Sequence, residues 1–184
     1  MLKLSGQYEY SIDGKNRLFI TTKLRSMIDA KVFGGDFLLV LCPNGIVGLY
    51  PEKCFDRLVA EAAAKIPAPD DAVDFQRMMY ALSSPVEFDN QGRILISDKL
   101  RKRANLGSQV TVVGVRDHIE IWNTSDWDRY EAEKWPAFEK QIVNAWHELL
   151  VKDSQETEII PNNFQSDLPT VEQIENELTN NSIT

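Results

Sequence analysis

Apolar and polar positions alternate along the chain in an order of short strands and short helices, and that order occurs twice. Residues 8–12 alternate as a strand does, Asp13, Gly14 and Asn16 interrupt the pattern, and residues 17–20 return as an apolar strand. The spacing predicts a hairpin with its turn at 13–16, where Gly14 and Asn16 can take positive φ. Thr21 or Thr22 then caps a short helix with Leu24, Met27 and Ile28 on one face. A β-rich run at 37–42, a Pro43-Asn44-Gly45 turn and a strand at 46–50 follow. Pro51 opens a helix to about residue 65, closed by Pro67-Ala68-Pro69. Asp70 or Asp71 caps another, in which Phe75, Met78, Met79 and Leu82 form an apolar stripe that reads as core.

After Ser83-Ser84-Pro85 the order returns. It predicts a strand at 86–88, a turn at 89–92, a strand at 93–96, a helix capped by Ser97 or Asp98, and strands at 110–115 and 119–122. Thr124 or Ser125 caps a last helix, expected to bend or restart at Pro136 and to end near Val151. Trp127, Tyr130, Trp135, Phe138, Ile142 and Trp146 give it more large apolar side chains than a lone amphipathic helix needs. Part of that surface is therefore expected to meet a partner subunit.

The repetition extends to residue identity. Asp13, Arg17, Ile20, Lys23, Leu24 and Arg25 recur as Asp89, Arg93, Ile96, Lys99, Leu100 and Arg101, all at an offset of 76. An apolar triplet and then a hydroxyl residue, Thr21 or Ser97, precede each basic segment. Further on, Phe55-Asp56-Arg57-Leu58 reads against Trp127-Asp128-Arg129-Tyr130 at an offset of 72, a four-residue length change of the kind loops absorb. The expected fold is mostly β with helices, in two duplicated units, 1–83 and 84–152. Beyond them, 153–184 is expected to be an acidic, mobile tail with a short helix at 171–178.

Charge sharpens this picture. The chain of 184 residues, 43% hydrophobic, is long enough to bury a core, and its formal charge is −8. Seven acidic residues and no Lys or Arg lie from Asp153 onward, so the rest of the chain is near −1. Basic residues cluster on the repeat instead: Lys3, Lys15, Arg17, Lys23 and Arg25 near one copy, Arg93, Lys99, Arg101, Lys102 and Arg103 near the other. The start lacks the apolar region of a signal peptide and no run approaches the roughly 20 apolar residues that span a bilayer. These features predict a soluble, cytosolic protein with no membrane partner.

Candidate chemistry is sparse. Cys42 and Cys54 lie twelve residues apart without a second pair, and His118 and His147 are distant in sequence, so zinc-ligand spacing is lacking. Gly34-Gly35 and Gly45 are not followed by the Lys-Ser/Thr of a phosphate-binding loop. Asp13 and Asp89 could form a catalytic pair, but each heads a turn and has an Arg four residues later that it can orient. With no base, nucleophile or metal cluster around them, an enzyme is not expected. Arg17 and Arg93 read in two ways: as structural Asp–Arg bridges fastening the turns, or as rigidly presented donors for phosphate or guanine. The charge repeated at Lys23, Arg25, Lys99 and Arg101 favours nucleic acid.

The doubled Asp-x-x-x-Arg, each with an apolar triplet and a basic segment ending in Lys-Leu-Arg, resembles the MraZ family of bacterial transcriptional regulators. So do Val47-Gly48-Leu49-Tyr50-Pro51, Val113-Gly114-Val115 and Ile119-Glu120-Ile121-Trp122, and the likeness covers residues 1–150. The resemblance implies two tandem AbrB-like swapped-hairpin units forming one pseudo-symmetric barrel with flanking helices. It implies binding of double-stranded DNA at promoter direct repeats upstream of a division and cell-wall gene cluster, association with the nucleoid and assembly into rings. DNA contacts are expected from Arg17, Arg93, Lys15, Lys23, Arg25, Lys99 and Arg101, with Asp13 and Asp89 orienting the motif and no cofactor or metal. The family's Lys-Gly-Arg is Gln91-Gly92-Arg93 in the second copy and Lys15-Asn16-Arg17 in the first, whose glycine sits at position 14. Two other readings stay open: a ring-forming protein-interaction scaffold, and an antitoxin-like autorepressor of the same fold.

Overall fold

The computed structural model describes residues 2–156, and the expectations for the segment from 157 onward lie outside the described residues. The chain divides into two units at Glu133 and Lys134. The first is a mixed α+β body with strands β1 (Gln7–Ser11), β2 (Arg17–Phe19), β3 (Phe37–Leu41), β4 (Val47–Pro51), β5 (Ser84–Val86), β6 (Arg93–Leu95), β7 (Gln109–Val115) and β8 (His118–Asn123). Its helices are α1 (Thr22–Ser26), α2 (Ala30–Phe33), α3 (Glu52–Ala63), α4 (Pro69–Leu82) and α5 (Asp98–Arg103), and α6 (Thr124–Glu156) begins in it. Every strand pairing is antiparallel.

The turns predicted at 13–16 and 89–92 form, but the two-stranded hairpin expected around the first does not. Strand β1 leaves the turn and pairs with β7, Gln7 opposite Val113 through Ser11 opposite Gln109. Strand β2 pairs with β6 instead, Leu18 opposite Ile94. On the far side β5 pairs with β3, Leu38 opposite Pro85. The physical reason lies in the duplication. The triplets Leu18-Phe19-Ile20 and Ile94-Leu95-Ile96 have the same period, so each can bury its first and third residues against the other, and Leu18, Ile20, Ile94 and Ile96 are 0%, 0%, 1% and 0% exposed.

The result is one six-stranded sheet in the order β1-β7-β8-β4-β3-β5 and a separate two-stranded ribbon of β2 and β6. Among the described residues these ladders do not close on themselves, since β1 and β5 have one neighbour each. Strands from before and after residue 83 interleave in both. The core is drawn from matched positions of the repeat: Leu18, Ile20 and Leu24 join Ile94, Ile96 and Leu100 under the ribbon, with Leu39, Val47, Val110, Val112, Ile119 and Ile121 from the sheet.

A smaller cluster of Val40, Tyr50, Phe55 and Val59 takes in Phe75 and Met79 from α4. The stripe predicted on α4 is thus only partly core. Met78 is 55% exposed because it stands one residue, about 100°, off the buried line.

The capping residues follow the sequence at Thr21, which accepts from the Lys23 amide, and at Ser97, which accepts from the Leu100 amide. They depart from it at α4, where Ala68 is the N-cap and Pro69 opens the helix. Asp70 and Asp71 lie in its first turn, beside the positive end of the peptide dipoles. Pro51 likewise sits at the N-cap of α3 rather than inside it. Helix α6 runs through Pro136 without restarting and continues past residue 151 to Glu156, the last residue described. Proline at 136 removes one donor from a turn whose side chains are solvent-exposed, where water can satisfy the orphaned carbonyl.

Candidate nucleic-acid interface

Each repeat builds the same turn from the same bonds. Asp13 accepts the Lys15 and Arg17 amides on Oδ1, both at 2.9 Å, while its backbone amide donates to the Arg17 carbonyl at 3.0 Å. Asp89 accepts the Gln91 and Arg93 amides, again both at 2.9 Å, and donates to the Arg93 carbonyl at 2.8 Å. The remaining carboxylate oxygen holds the guanidinium: Arg17 Nε and Nη2 lie 2.7 and 2.6 Å from Asp13 Oδ2, and Arg93 Nε and Nη2 lie 2.8 and 2.6 Å from Asp89 Oδ2. One Asp therefore closes the turn and fixes the rotamer of the Arg that leaves it.

These bonds all favour the ionised acid. The Arg17 side chain and amide hold the Asp13 carboxyl down at about 2, and the Arg93 amide and side chain do the same for Asp89. The residue before each arginine closes the turn in the left-handed region, Asn16 at φ 59° and Gly92 at φ 76°. Asn substitutes for Gly there because its short side chain tolerates that backbone best among the others.

Strand alternation decides where the arginines point. In the ribbon, Leu18 and Ile94 face the core, so Arg17, Phe19, Arg93 and Leu95 belong to the opposite, outer face. Leu95 is 59% exposed, and the side chains of Arg17 and Arg93 are 34% and 25% exposed. Arg17 stands opposite Leu95 and Arg93 opposite Phe19, which sets the two arginines at the two ends of one short ribbon.

The other basic residues of the repeat separate into two groups. Lys15, Lys23 and Lys99 are exposed, as are Lys102 and Arg103 on α5. Arg25 and Arg101 are half-buried, and their Nε atoms donate to the Ile20 and Leu106 carbonyls at 2.9 and 3.0 Å. Arg25 also donates to Thr22 Oγ1 and lies over the Phe88 ring, 5.7 Å from its centre. Arg101 Nη1 reaches Asn16 Oδ1 at 2.5 Å, and Asn16 Nδ2 donates to Asp98 Oδ1 at 2.6 Å.

Sequence reasoning placed Asn16 in the turn at positive φ, where it is, but gave no role in the site to the side chains of Asn16, Asp98 and Phe88. The repeat carried a signal for the first, since the offset that aligns Asp13 with Asp89 also aligns Asn16 with Gly92.

Other features offer less. A recess of about 660 Å³ beside β5 is lined by Asp36, Glu52 and Glu87 with no basic side chain, which makes it hostile to phosphate. Among the described residues no cluster of three His, Cys, Asp or Glu is placed to hold a metal ion, and no helix is long and apolar enough to cross a membrane.

Residues 79–145 match a family described as "MraZ protein, putative antitoxin-like". A protein named "Transcriptional regulator MraZ" from Lactiplantibacillus plantarum is 33% identical over 139 residues, 76% of this chain and 95% of its own length. Proteins of the same name from Pediococcus pentosaceus and Thermomicrobium roseum are 36% and 34% identical over 124 and 122 residues. Those matches span 67% and 66% of this chain and 82% of each relative.

Proposed function

Because the chain belongs to the MraZ family, we propose that it is a sequence-specific DNA-binding transcriptional regulator whose β2–β6 ribbon is the reading element. The observation that carries this reading is the presentation of Arg17 and Arg93 on one outer ribbon face, each locked by an aspartate. The major groove of B-DNA admits a two-stranded ribbon, and a guanidinium held in one rotamer can donate to O6 and N7 of guanine or to a phosphate. Lys15, Lys23 and Lys99, exposed beside the turns, supply the sequence-independent attraction to the backbone. Arg25 and Arg101 add positive charge to the same repeat from half-buried positions.

The crosswise pairing of β1 with β7 and β2 with β6 supports two tandem AbrB-like swapped-hairpin units, 1–83 and 84–152, in one pseudo-symmetric barrel. The reading extends to promoter direct repeats upstream of the division and cell-wall gene cluster, engaged by a ring of subunits in the nucleoid-associated cytoplasm. The protein has no catalytic role in it.

Gel-shift with double-stranded DNA from upstream of its own gene tests the proposal. Arg17→Ala and Arg93→Ala should each weaken binding by about 1–3 kcal/mol with circular dichroism unchanged, more where several subunits engage repeats together. Unchanged affinity in both variants would leave the arginines as turn fasteners and remove the ribbon from the interface.

A further inference from the structure

Arg25 and Arg101 each reach across to the turn of the other repeat. Arg101 bonds the side chain of Asn16, the residue before Arg17. The Arg25 guanidinium occupies the space above Gly92, the residue before Arg93: a Cβ built on Gly92 would lie 2.5 to 2.8 Å from Nη2, Cζ and Nε of Arg25. The main chain repeats the crossing, because the Ile96 amide donates to the Asn16 carbonyl at 2.9 Å and the Ile20 amide to the Gly92 carbonyl at 3.0 Å. In both turns the left-handed residue whose peptide leads into the ribbon arginine is thus gripped by the opposite repeat.

We propose that Arg25 and Arg101 are positioning residues that aim the ribbon arginine of the other repeat, Arg101 acting on Arg17 through Asn16 and Arg25 on Arg93 through Gly92. This rests on the reading of the ribbon as the DNA-contacting element. Each guanidinium is committed locally: Nε of both is spent on a main-chain carbonyl, Arg25 is stacked on Phe88, and both are half-buried. An arginine held in this way transmits the placement of its own helix to whatever its tip touches.

The two locks differ in kind. Asn16 is spanned by a donor and an acceptor three residues apart on α5, Arg101 and Asp98, so its amide has one orientation. Arg25 acts on Gly92 by occupancy, taking the space a side chain would need, beside the main-chain bond from Ile20. An Asn at 92 would collide with Arg25, and a Gly at 16 would leave Arg101 and Asp98 without the group that joins them. The turns are therefore not interchangeable despite their common ancestry in the repeat.

The test is a set of double-mutant cycles on full-length protein, with affinity for the upstream duplex measured between 50 and 200 mM salt, on the order of the range where phosphate contacts register. Arg101→Ala should weaken binding about tenfold in the parent and in Arg93→Ala, and lose most of that effect in Arg17→Ala. Arg25→Ala should show the mirror pattern, with its effect lost in Arg93→Ala.

A direct phosphate contact behaves otherwise: its loss adds in every background, lowers the slope of log affinity against log salt by about 0.9, and is largely restored by Lys. Positioning leaves the slope unchanged and is not restored by Arg101→Lys, which keeps the charge but not the planar fork. Should Arg101→Ala fail to fold, the Lys variant carries the test.

Additive losses with a reduced slope would overturn the proposal, as would full affinity in Arg101→Ala and Arg25→Ala while Arg17→Ala and Arg93→Ala lose theirs. Full affinity in the Arg17 and Arg93 variants would overturn the ribbon reading itself.

Discussion

Asn16 and Gly92 occupy the same place in two copies of one turn, both with φ in the left-handed region, at 59° and 76°. The shared backbone follows from the aspartate bonds that define the turn, and it limits the residue before the arginine to those that tolerate that φ. What differs is the surrounding space. Asn16 has a side chain because α5 offers it partners, and Gly92 has none because Arg25 leaves no room.

Gly92→Ala should destabilise the protein by about 1–3 kcal/mol, combining the left-handed φ with displacement of Arg25. Gly14→Ala, in the neighbouring turn position, is the control. A Cβ there meets nothing within 4 Å and its φ is not in the left-handed region, so the change should be neutral or stabilise by about 0.4–1 kcal/mol. Urea denaturation of the two variants beside the parent decides it.

Acid should weaken the two turns together. The Asp13 and Asp89 carboxyls are held at about 2, below the ordinary 3.8. A carboxyl lowered on folding contributes stability that is present above its ordinary value and is lost as pH falls through its folded one. Stability should therefore decline between about pH 4 and pH 2, and Asp13→Asn with Asp89→Asn should flatten the decline. Thermal melts across that range measure it, and an unchanged slope in the double variant would count against the assignment.

The same two turns show what was legible in the chain and what was not. The identities at the offset of 76 marked Ile20, Leu24, Ile96 and Leu100, which all proved buried, and both Asp–Arg pairs, which both formed. Each of these is a local motif or a periodic apolar position, the kind of signal a sequence carries directly. Which strand pairs with which is another matter. The two apolar triplets satisfy the same local rule, so nothing in either copy says that β2 should abandon β1 for β6. The grip of Arg101 on Asn16 joins residues 85 apart and is likewise invisible until the topology places them together.

His118 and Tyr50 stack ring on ring, 4.4 Å between centres and 8° from parallel, with His118 also bonded to Asp117 at 3.0 Å and close to Glu120 at 3.4 Å. Burial works against the imidazolium, but the bonds to Glu120 and Asp117 outweigh it and raise the pKa above 6.5. A histidine raised on folding contributes stability that is fully present below its ordinary value and is lost as pH climbs through its folded one. The protein should lose stability from about pH 6.5 upward by a component that His118→Ala removes. An NMR titration placing His118 below 6.5 would contradict the expected direction.

Helix α6 carries the last prediction. Between Lys134 and Leu149 most of its large apolar side chains stay in solvent: Trp135, Phe138, Trp146 and Leu149 are all exposed, Trp146 to 64%, with Ile142 half-buried between them. Their spacing of three, four, four and three residues draws one stripe along the helix, the pattern of a face that packs against another helix. A monomer gains nothing by keeping such a stripe wet, whereas subunits that cover it bury it and multiply their grip on repeated DNA sites. The stripe predicts an oligomer, and the proposed ring one larger than a dimer, by light scattering at micromolar concentration. Trp135→Gln with Trp146→Gln should reduce the measured mass while leaving affinity for a single repeat within about twofold, and lower affinity for tandem repeats by about 10–100-fold as avidity is lost. Equal mass in parent and variant would remove the stripe from assembly, and a monomeric parent would remove avidity altogether.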